Sequence, residues 1–286
     1  MSASHPEPKS RRLPMQTQPS VAIVGVGAVG RAMRGLFPEA VLYDEPLGLG
    51  AREQVNRCRF AFVCVPTPAD ASGACDTSIV EGVVRWIESE FIVIRSTVSP
   101  GTTERLARTY GKRVVFQPEY GPGETPDHPY ADVRDIPWMI LGGPRPWTVP
   151  VCDLYKRVVN SNVVIQQTDA TTAELAKYME NAFLAMKVAF CNEFYDLAGA
   201  AGVDYNELRE LWLLDPRIGR SHTWVHPDDR GFGGKCLPKD LSAVLSTADD
   251  LEVPAVLLRA VAESNARLRP DGLSTVMPVR VGSQRD

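Results

Sequence analysis

Val21-Ala-Ile-Val24 is a short, continuous apolar run, and it passes directly into Gly25-Val-Gly27-Ala28-Val29-Gly30. An apolar run without polar alternation suits a strand covered on both faces, as in a parallel sheet. The glycines that follow are spaced G-x-G-x-x-G, in the strand, turn and helix context this pattern requires. The first glycine permits a tight turn, the second lets backbone approach a pyrophosphate, and the third lets the helix pack close to the strand. The start of the next helix offers N–H donors and a positive dipole end to phosphates. A second apolar run, Ala40-Val-Leu-Tyr43, ends at Asp44, 19 residues after Gly25. A carboxylate there accepts hydrogen bonds from ribose hydroxyls and repels a 2′-phosphate. The segment therefore predicts a dinucleotide site for NAD rather than NADP, built from Gly25, Gly27, Ala28, Val29, Gly30 and Asp44.

Outward from this turn the pattern repeats. Apolar runs recur over residues 59–65, 91–94, 113–116 and 138–141, with helix-length segments such as 29–37 and 78–89 between them. That rhythm predicts an α/β fold, a Rossmann-type doubly wound parallel sheet over residues 20–165, closing with a strand over 162–165. The second half changes character. Between Asp169 and Gly199 there is no Gly or Pro, and Leu175, Met179, Phe183, Met186 and Phe190 recur at spacings of four and three. The spacing predicts one helix of about 30 residues, capped by Thr168 or Asp169 and ended by Gly199 and Gly202. Further helices are expected over 205–213, 238–249 and 253–268. Residues 166–270 thus read as an all-helical central domain, residues 1–19 as a disordered leader and 271–286 as a loose tail.

Composition excludes several classes. The chain has 286 residues, 44% hydrophobic and 23% charged, with 31 basic and 35 acidic side chains and a formal charge of −4. A general nucleic-acid or anionic-membrane binder usually carries a basic excess. No apolar run reaches the roughly 18–20 residues of a membrane span. The polar N-terminus has no secretory h-region. The six cysteines form no C-x-x-C pair, a usage expected of a reducing cytoplasm.

The segment Gly231-Phe-Gly233-Gly234-Lys-Cys236-Leu-Pro-Lys-Asp240 carries a second constellation. Its glycines let backbone approach a ligand, and Cys236 stands at the mouth of a helix with Pro238 in the first turn. The dipole end, with Lys235 or Lys239, favours a thiolate. Asp240 lies one turn along the same face, where it binds a proton or orients a water. Lys177 and Asn181 are spaced i, i+4 on the long helix, so both can point at a developing oxyanion. Taken singly, each has a plainer reading: Cys236 as one more buried thiol, and Lys177 with Asn181 as a solvated helix face.

The cysteine block, with Asp215-Pro-Arg217-Ile-Gly219 upstream, resembles the UDP-glucose/GDP-mannose dehydrogenase family. So do Thr172-Ala-Glu-Leu-Ala-Lys177-Tyr-Met-Glu-Asn181, Val65-Pro66-Thr67-Pro68, Arg95-Ser-Thr97-Val98 and Gln117-Pro-Glu119-Tyr120, which occur in the family's order across residues 20–268. The resemblance implies oxidation of a nucleotide sugar's C6 hydroxymethyl to a carboxylate, with two NAD reduced. It implies Cys236 as the nucleophile, through a thiohemiacetal and a thioester. Lys177 and Asn181 would stabilise oxyanions, and Asp240 with the lysine would hold the water or proton of the base chemistry. Glu119 and Thr97 would flank the hydrolytic water. Val65, Pro66, Thr67 and Thr97 would join the cofactor side, and Tyr120, Arg217, Gly233 and Gly234 the substrate side. It further implies a homodimer built on the long helix.

Two departures accompany the resemblance. Relatives carry a third α/β domain over the nucleotide, and this chain resembles a short form without it. The loop from Arg220 to Arg230 is longer than usual and offers His222, Trp224, His226 and Arg230 as replacement contacts. Glu124, one residue displaced, is a candidate second glutamate. The His222/His226 spacing has no third ligand or helix beside it, so no metal is expected. Two other functions remain open: a one-step NAD-dependent alcohol or hydroxyacid dehydrogenase, which needs no thiol, and a non-enzymatic NAD-binding or dimerisation module.

Overall fold

The computed structural model describes residues 20–121, 130 and 132–270; the expected leader, the tail and Glu124 lie outside them. The chain runs β1 (Val21–Val24), α1 (Ala28–Leu36), β2 (Val41–Tyr43), α2 (Arg52–Asn56), β3 (Phe60–Val63), α3 (Ser78–Trp86), β4 (Phe91–Ile94), α4 (Thr102–Tyr110) and β5 (Val114–Phe116). It continues through β6 (Trp138–Gly142), α5 (Arg145–Tyr155), β7 (Val164–Thr168), α6 (Ala170–Ala200), α7 (Tyr205–Trp212), α8 (Leu237–Asp250) and α9 (Val256–Leu268). The seven strands form one sheet in the order β2-β1-β3-β4-β5-β6-β7. All neighbours are parallel except β5 and β6.

Every residue of β1, β3, β4 and β5 is buried, which is why these strands read as unbroken apolar runs. Successive side chains alternate between two cores. Ala22, Val24, Ala61, Val63, Ile92 and Ile94 pack with α3, α4 and Ala173 of α6. Val21, Ile23, Phe60, Phe62, Phe91 and Val93 pack with Met33 of α1 and Val151, Leu154 and Tyr155 of α5. The order of β2, β1 and β3 puts a switch point at β1. The crevice outside the carboxyl ends of β1 and β3 is where such sheets bind ligands.

The last strand differs from the expected 162–165. It spans Val164–Thr168 and pairs with β6 from Trp138↔Val164 to Gly142↔Thr168. Gln166, Gln167 and Thr168 belong to an edge strand that is only partly buried, so hydrophobic patterning ends before the strand does. The sheet therefore runs past the expected boundary at 165. Helices α2 and α4 carry few apolar residues, and α5 contains Pro150 inside it.

α6 is the expected long helix, with Asp169 as its N-cap accepting from the Thr172 N–H at 2.8 Å. Its large apolar stripe is not the core, however. Leu175, Met179, Phe183 and Phe190 are 49%, 75%, 51% and 44% exposed. The buried face instead carries small residues and polar ones: Ala173, Glu174, Lys177, Tyr178, Asn181, Ala182 and Ala185. A third core joins α6 to Phe232, Leu241 and Leu245 on α8's side and Val261 and Ala262 on α9. Among the described residues, no helix is long and apolar enough to cross a membrane.

Candidate active site

The glycine turn is built as its spacing demands. Gly25 has φ +91°, and a Cβ there would lie 2.6 Å from the Cys64 carbonyl oxygen. A Cβ on Gly30 would overlap the carbonyl oxygen of Gly25, whereas one on Gly27 would meet nothing within 4 Å. Gly27 thus faces open space at the start of α1, whose N-terminus has no side-chain cap. Those unsatisfied N–H groups and that bare approach fit a pyrophosphate. Asp44 Oδ2 accepts the Val26 N–H at 2.8 Å and Oδ1 accepts the Leu47 N–H at 3.1 Å. The carboxylate at the end of β2 therefore braces the turn it was expected to serve, and the group of residues fits NAD. Val65 and Pro66 follow β3 at the same crevice.

The loops after β3 and β4 are tied together. Thr67 Oγ1 donates to the Thr97 carbonyl at 2.8 Å, and Ser96 Oγ to the Val65 carbonyl at 2.6 Å. From the next strand end, Glu119 forms an ion pair with Arg95, whose side chain is only 2% exposed. Glu119 also accepts the Gly121 N–H. Arg95 was quoted only as part of a motif; its charge is buried at the end of an apolar strand because Glu119 neutralises it. Burial pushes the nearby Cys64 thiol up to about 12, so that sulfur is inert as a nucleophile.

On α6, Lys177 Nζ donates to Asn181 Oδ1 and lies near Glu180 Oε2, both at 3.2 Å. It also sits 4.6 Å from the centre of the Tyr120 ring, and burial raises the Tyr120 hydroxyl's pKa. Asn181 Nδ2 donates in turn to Asp240 Oδ2 at 2.5 Å. The ammonium at one end and the carboxylate at the other admit one orientation of the amide. All three side chains are buried. Asp240 Oδ1 lies 2.8 Å from Lys239 Nζ yet has no hydrogen-bond partner among the described residues, so the ion pair leaves a lone pair unmet. Lys239 Nζ also reaches Thr67 Oγ1 at 3.4 Å.

Cys236 is the N-cap residue of α8, with Pro238 in the first turn, and its carbonyl accepts the Asp240 N–H at 2.8 Å. The other five cysteines are buried, Cys236 is exposed, and none is in a disulfide. The glycine loop before it is clamped from two helices. Asn265 on α9 accepts the Phe232 N–H at 2.7 Å and donates to the Phe232 carbonyl at 2.9 Å. Asn192 on α6 accepts from Arg230 Nε at 2.6 Å and from the Gly231 N–H at 3.3 Å. Gly234 has φ +75° and open space beside it, while Gly233 backs onto Arg269.

Lys177, Asn181 and Asp240 are thus brought into one relay at the mouth of Cys236's helix. Through Lys239 and Thr67 that helix is bonded to the crevice beside the glycine turn. Arg217 stands apart: it is exposed, bound to Asp215 on its own loop, and no described hydrogen bond links it to the relay. In the long loop, Trp224 stacks on the buried Arg209 at 3.7 Å, and Arg230 serves α6 through Asn192 and Asp196. Both side chains brace the loop. Among the described residues, no three His, Cys, Asp or Glu side chains group to hold a metal. A cleft of about 610 Å³ between α4, α5 and the first turn of α6 contains none of these residues.

Residues 48–159 match the NAD binding domain of the UDP-glucose/GDP-mannose dehydrogenase family, and residues 171–267 match its central domain. The chain belongs to this family. It is 30% identical to the UDP-glucose 6-dehydrogenase of Rickettsia typhi over 225 residues, covering 74% of this chain and 50% of that one. It is 29% identical to the GDP-mannose 6-dehydrogenase of Pseudomonas aeruginosa, covering 72% of this chain and 50% of that one. A UDP-glucose dehydrogenase structure from Pyrobaculum islandicum superposes with a TM-score of 0.75 at 26% identity, covering 90% of this chain and 70% of that one. The chain spans about half the length of the curated relatives it matches. The NAD-domain match starts beyond the glycine turn, so the turn rests on its own geometry.

Sequence reasoning missed Glu174, Asn192 and Asn265. Their signal was a polar residue on the inner face of a helix, legible only once the inner face is known.

Proposed function

We propose that the protein oxidises the C6 hydroxymethyl of a nucleotide sugar to a carboxylate in two steps, with NAD as oxidant and Cys236 as nucleophile. The observation that carries this is the Lys177–Asn181–Asp240 relay at the mouth of the helix that begins at the exposed thiol. In this reading the sheet and its helices, residues 20–168, hold the cofactor, and residues 169–270 hold the nucleophile and the protomer contact.

Gly25, Gly27, Gly30 and Asp44 would hold NAD, and two NAD molecules bound in turn would each supply a hydride acceptor, one per oxidation. Asp240, with its unmet oxygen, takes the hydroxyl proton through a water in the first. Cys236, its proton released to water, then adds as the thiolate to the aldehyde carbon, and the new oxyanion lies against Lys177 Nζ and the second N–H of Asn181 Nδ2. Loss of the second hydride from that thiohemiacetal leaves a thioester. Glu119 and Thr97 hold the water that cleaves it, releasing the carboxylate and restoring the thiol. Arg217, exposed and paired with Asp215 on its own loop, contacts the substrate's nucleotide. The exposed stripe of α6 is where a second copy packs, since so large an apolar patch on one helix suits an interface.

The test is stoichiometric. With UDP-, GDP- and TDP-hexoses, two NADH should form per acid, and Cys236→Ser should abolish acid formation. One NADH per turnover with free aldehyde or ketone, and an active Cys236→Ser, would establish a one-step dehydrogenase instead. NAD binding without NADH from any sugar nucleotide would leave a binding module.

A further inference from the structure

Glu174 is fully enclosed on the inner face of α6, three residues before Lys177, and the chemistry above gives it no role. Its Oε2 accepts the Gly101 N–H at 2.6 Å, and its Oε1 accepts the Thr103 N–H at 2.9 Å and the Thr103 hydroxyl at 2.6 Å. These donors open α4. The N-cap residue there is Gly101 at φ +86°, which has no side chain to satisfy the helix's first N–H groups. A residue more than 70 positions away in sequence supplies the cap. One position beyond Lys177, the Tyr178 hydroxyl meets Ser99 Oγ at 3.5 Å. α6 is therefore fastened on both sides of Lys177 to the segment Thr97-Val-Ser-Pro-Gly101.

We infer that Glu174 is a positioning residue for this oxidation, holding Lys177 and Asn181 on α6 in register with Thr97 in the loop after β4. The inference rests on the roles read for Lys177 and Thr97 above. A carboxylate suits the task because both oxygens accept. An amide in its place turns an N–H toward one of the α4 donors. An aspartate keeps the charge but is shorter by one methylene, so α6 must shift by about 1 Å to keep the bonds. A misplacement of that size costs about 100-fold in rate where reacting groups must be aligned.

The test uses the full chain and the sugar nucleotide the wild type turns over. Glu174→Gln should lower kcat about 100-fold, with KM for the sugar nucleotide and Kd for NAD within about threefold. Glu174→Asp, which shifts α6 by about 1 Å to keep its bonds, should lower kcat by about the same factor. Hydrogen exchange at the Gly101 and Thr103 amides should quicken about tenfold or more in Glu174→Gln. A folded Glu174→Gln with wild-type kcat overturns the inference, as does a kcat loss matched by equal loss of NAD binding, or unchanged exchange at both amides. Where Glu174→Gln does not fold, the same readouts on Glu174→Asp decide. A wild type that makes no NADH overturns the functional reading and this inference with it, whereas an active wild type with an equally active variant overturns the inference alone.

Discussion

Glu174 also makes folding stability depend on pH in a direction opposite to the usual carboxylate. Burial pushes its pKa from 4.5 up to about 7, against the lowering effect of its three donors. A carboxyl whose pKa is raised on folding binds its proton more tightly in the native state. Between the unfolded and folded values the native chain holds more protons than the unfolded one, so stability falls as pH rises. The contribution is fully present below about pH 4.5 and is lost by the time pH has passed about 7. The shift corresponds to about 3 kcal/mol. Other carboxylates, such as Asp169 and Glu81, are held low by hydrogen bonds and tilt the total the other way. The difference between wild type and Glu174→Gln isolates the one group, because glutamine does not titrate. Urea unfolding of both proteins at about pH 5 and about pH 8 measures it. The wild type should lose about 2.5 kcal/mol relative to Glu174→Gln across that interval. A gap that stays level, or moves in favour of the wild type, would refute a desolvated Glu174.

Two glycines of the turn should separate. Gly27→Ala should leave stability within about 0.5 kcal/mol, because its Cβ meets nothing within 4 Å, yet weaken NAD binding in calorimetry; unchanged affinity would remove Gly27 from the site. Gly30→Ala drives a Cβ into the Gly25 carbonyl and should cost about 1–3 kcal/mol in thermal or urea unfolding, as well as NAD affinity. Phe183→Glu, on the exposed face of α6, should convert a particle of twice the 31.4 kDa protomer mass into the protomer in light scattering; a wild type already at 31.4 kDa would contradict the dimer.

Much of the fold was legible because its signals are local. A fully buried strand needs an unbroken apolar run, and β1, β3 and β4 have one. Edge strand β7 is half exposed and polar, so its end was misplaced. The long helix was readable from the absence of Gly and Pro over 30 residues, but its orientation was not. The stripe of large side chains was expected to serve a homodimer; the structure leaves Leu175, Met179, Phe183 and Phe190 exposed and buries the opposite face, where alanines let α8 and α9 approach closely. The relay members Lys177, Asn181 and Asp240 were each visible in motifs. That Asn181 hands Lys177's contact on to Asp240 depends on how α6 crosses α8.

The sequence by itself determined the nucleotide turn and the cysteine-bearing helix mouth, because backbone conformation, capping and dipole direction act over a few contiguous residues. Tertiary structure alone decided which charges survive burial. Arg95 keeps its charge because Glu119 meets it, whereas Glu174, though an uncapped helix from elsewhere in the chain turns its N–H groups toward it, still has its pKa raised by burial. An ionised group out of water needs a partner at contact distance, and folding, not spacing along the chain, supplies that partner.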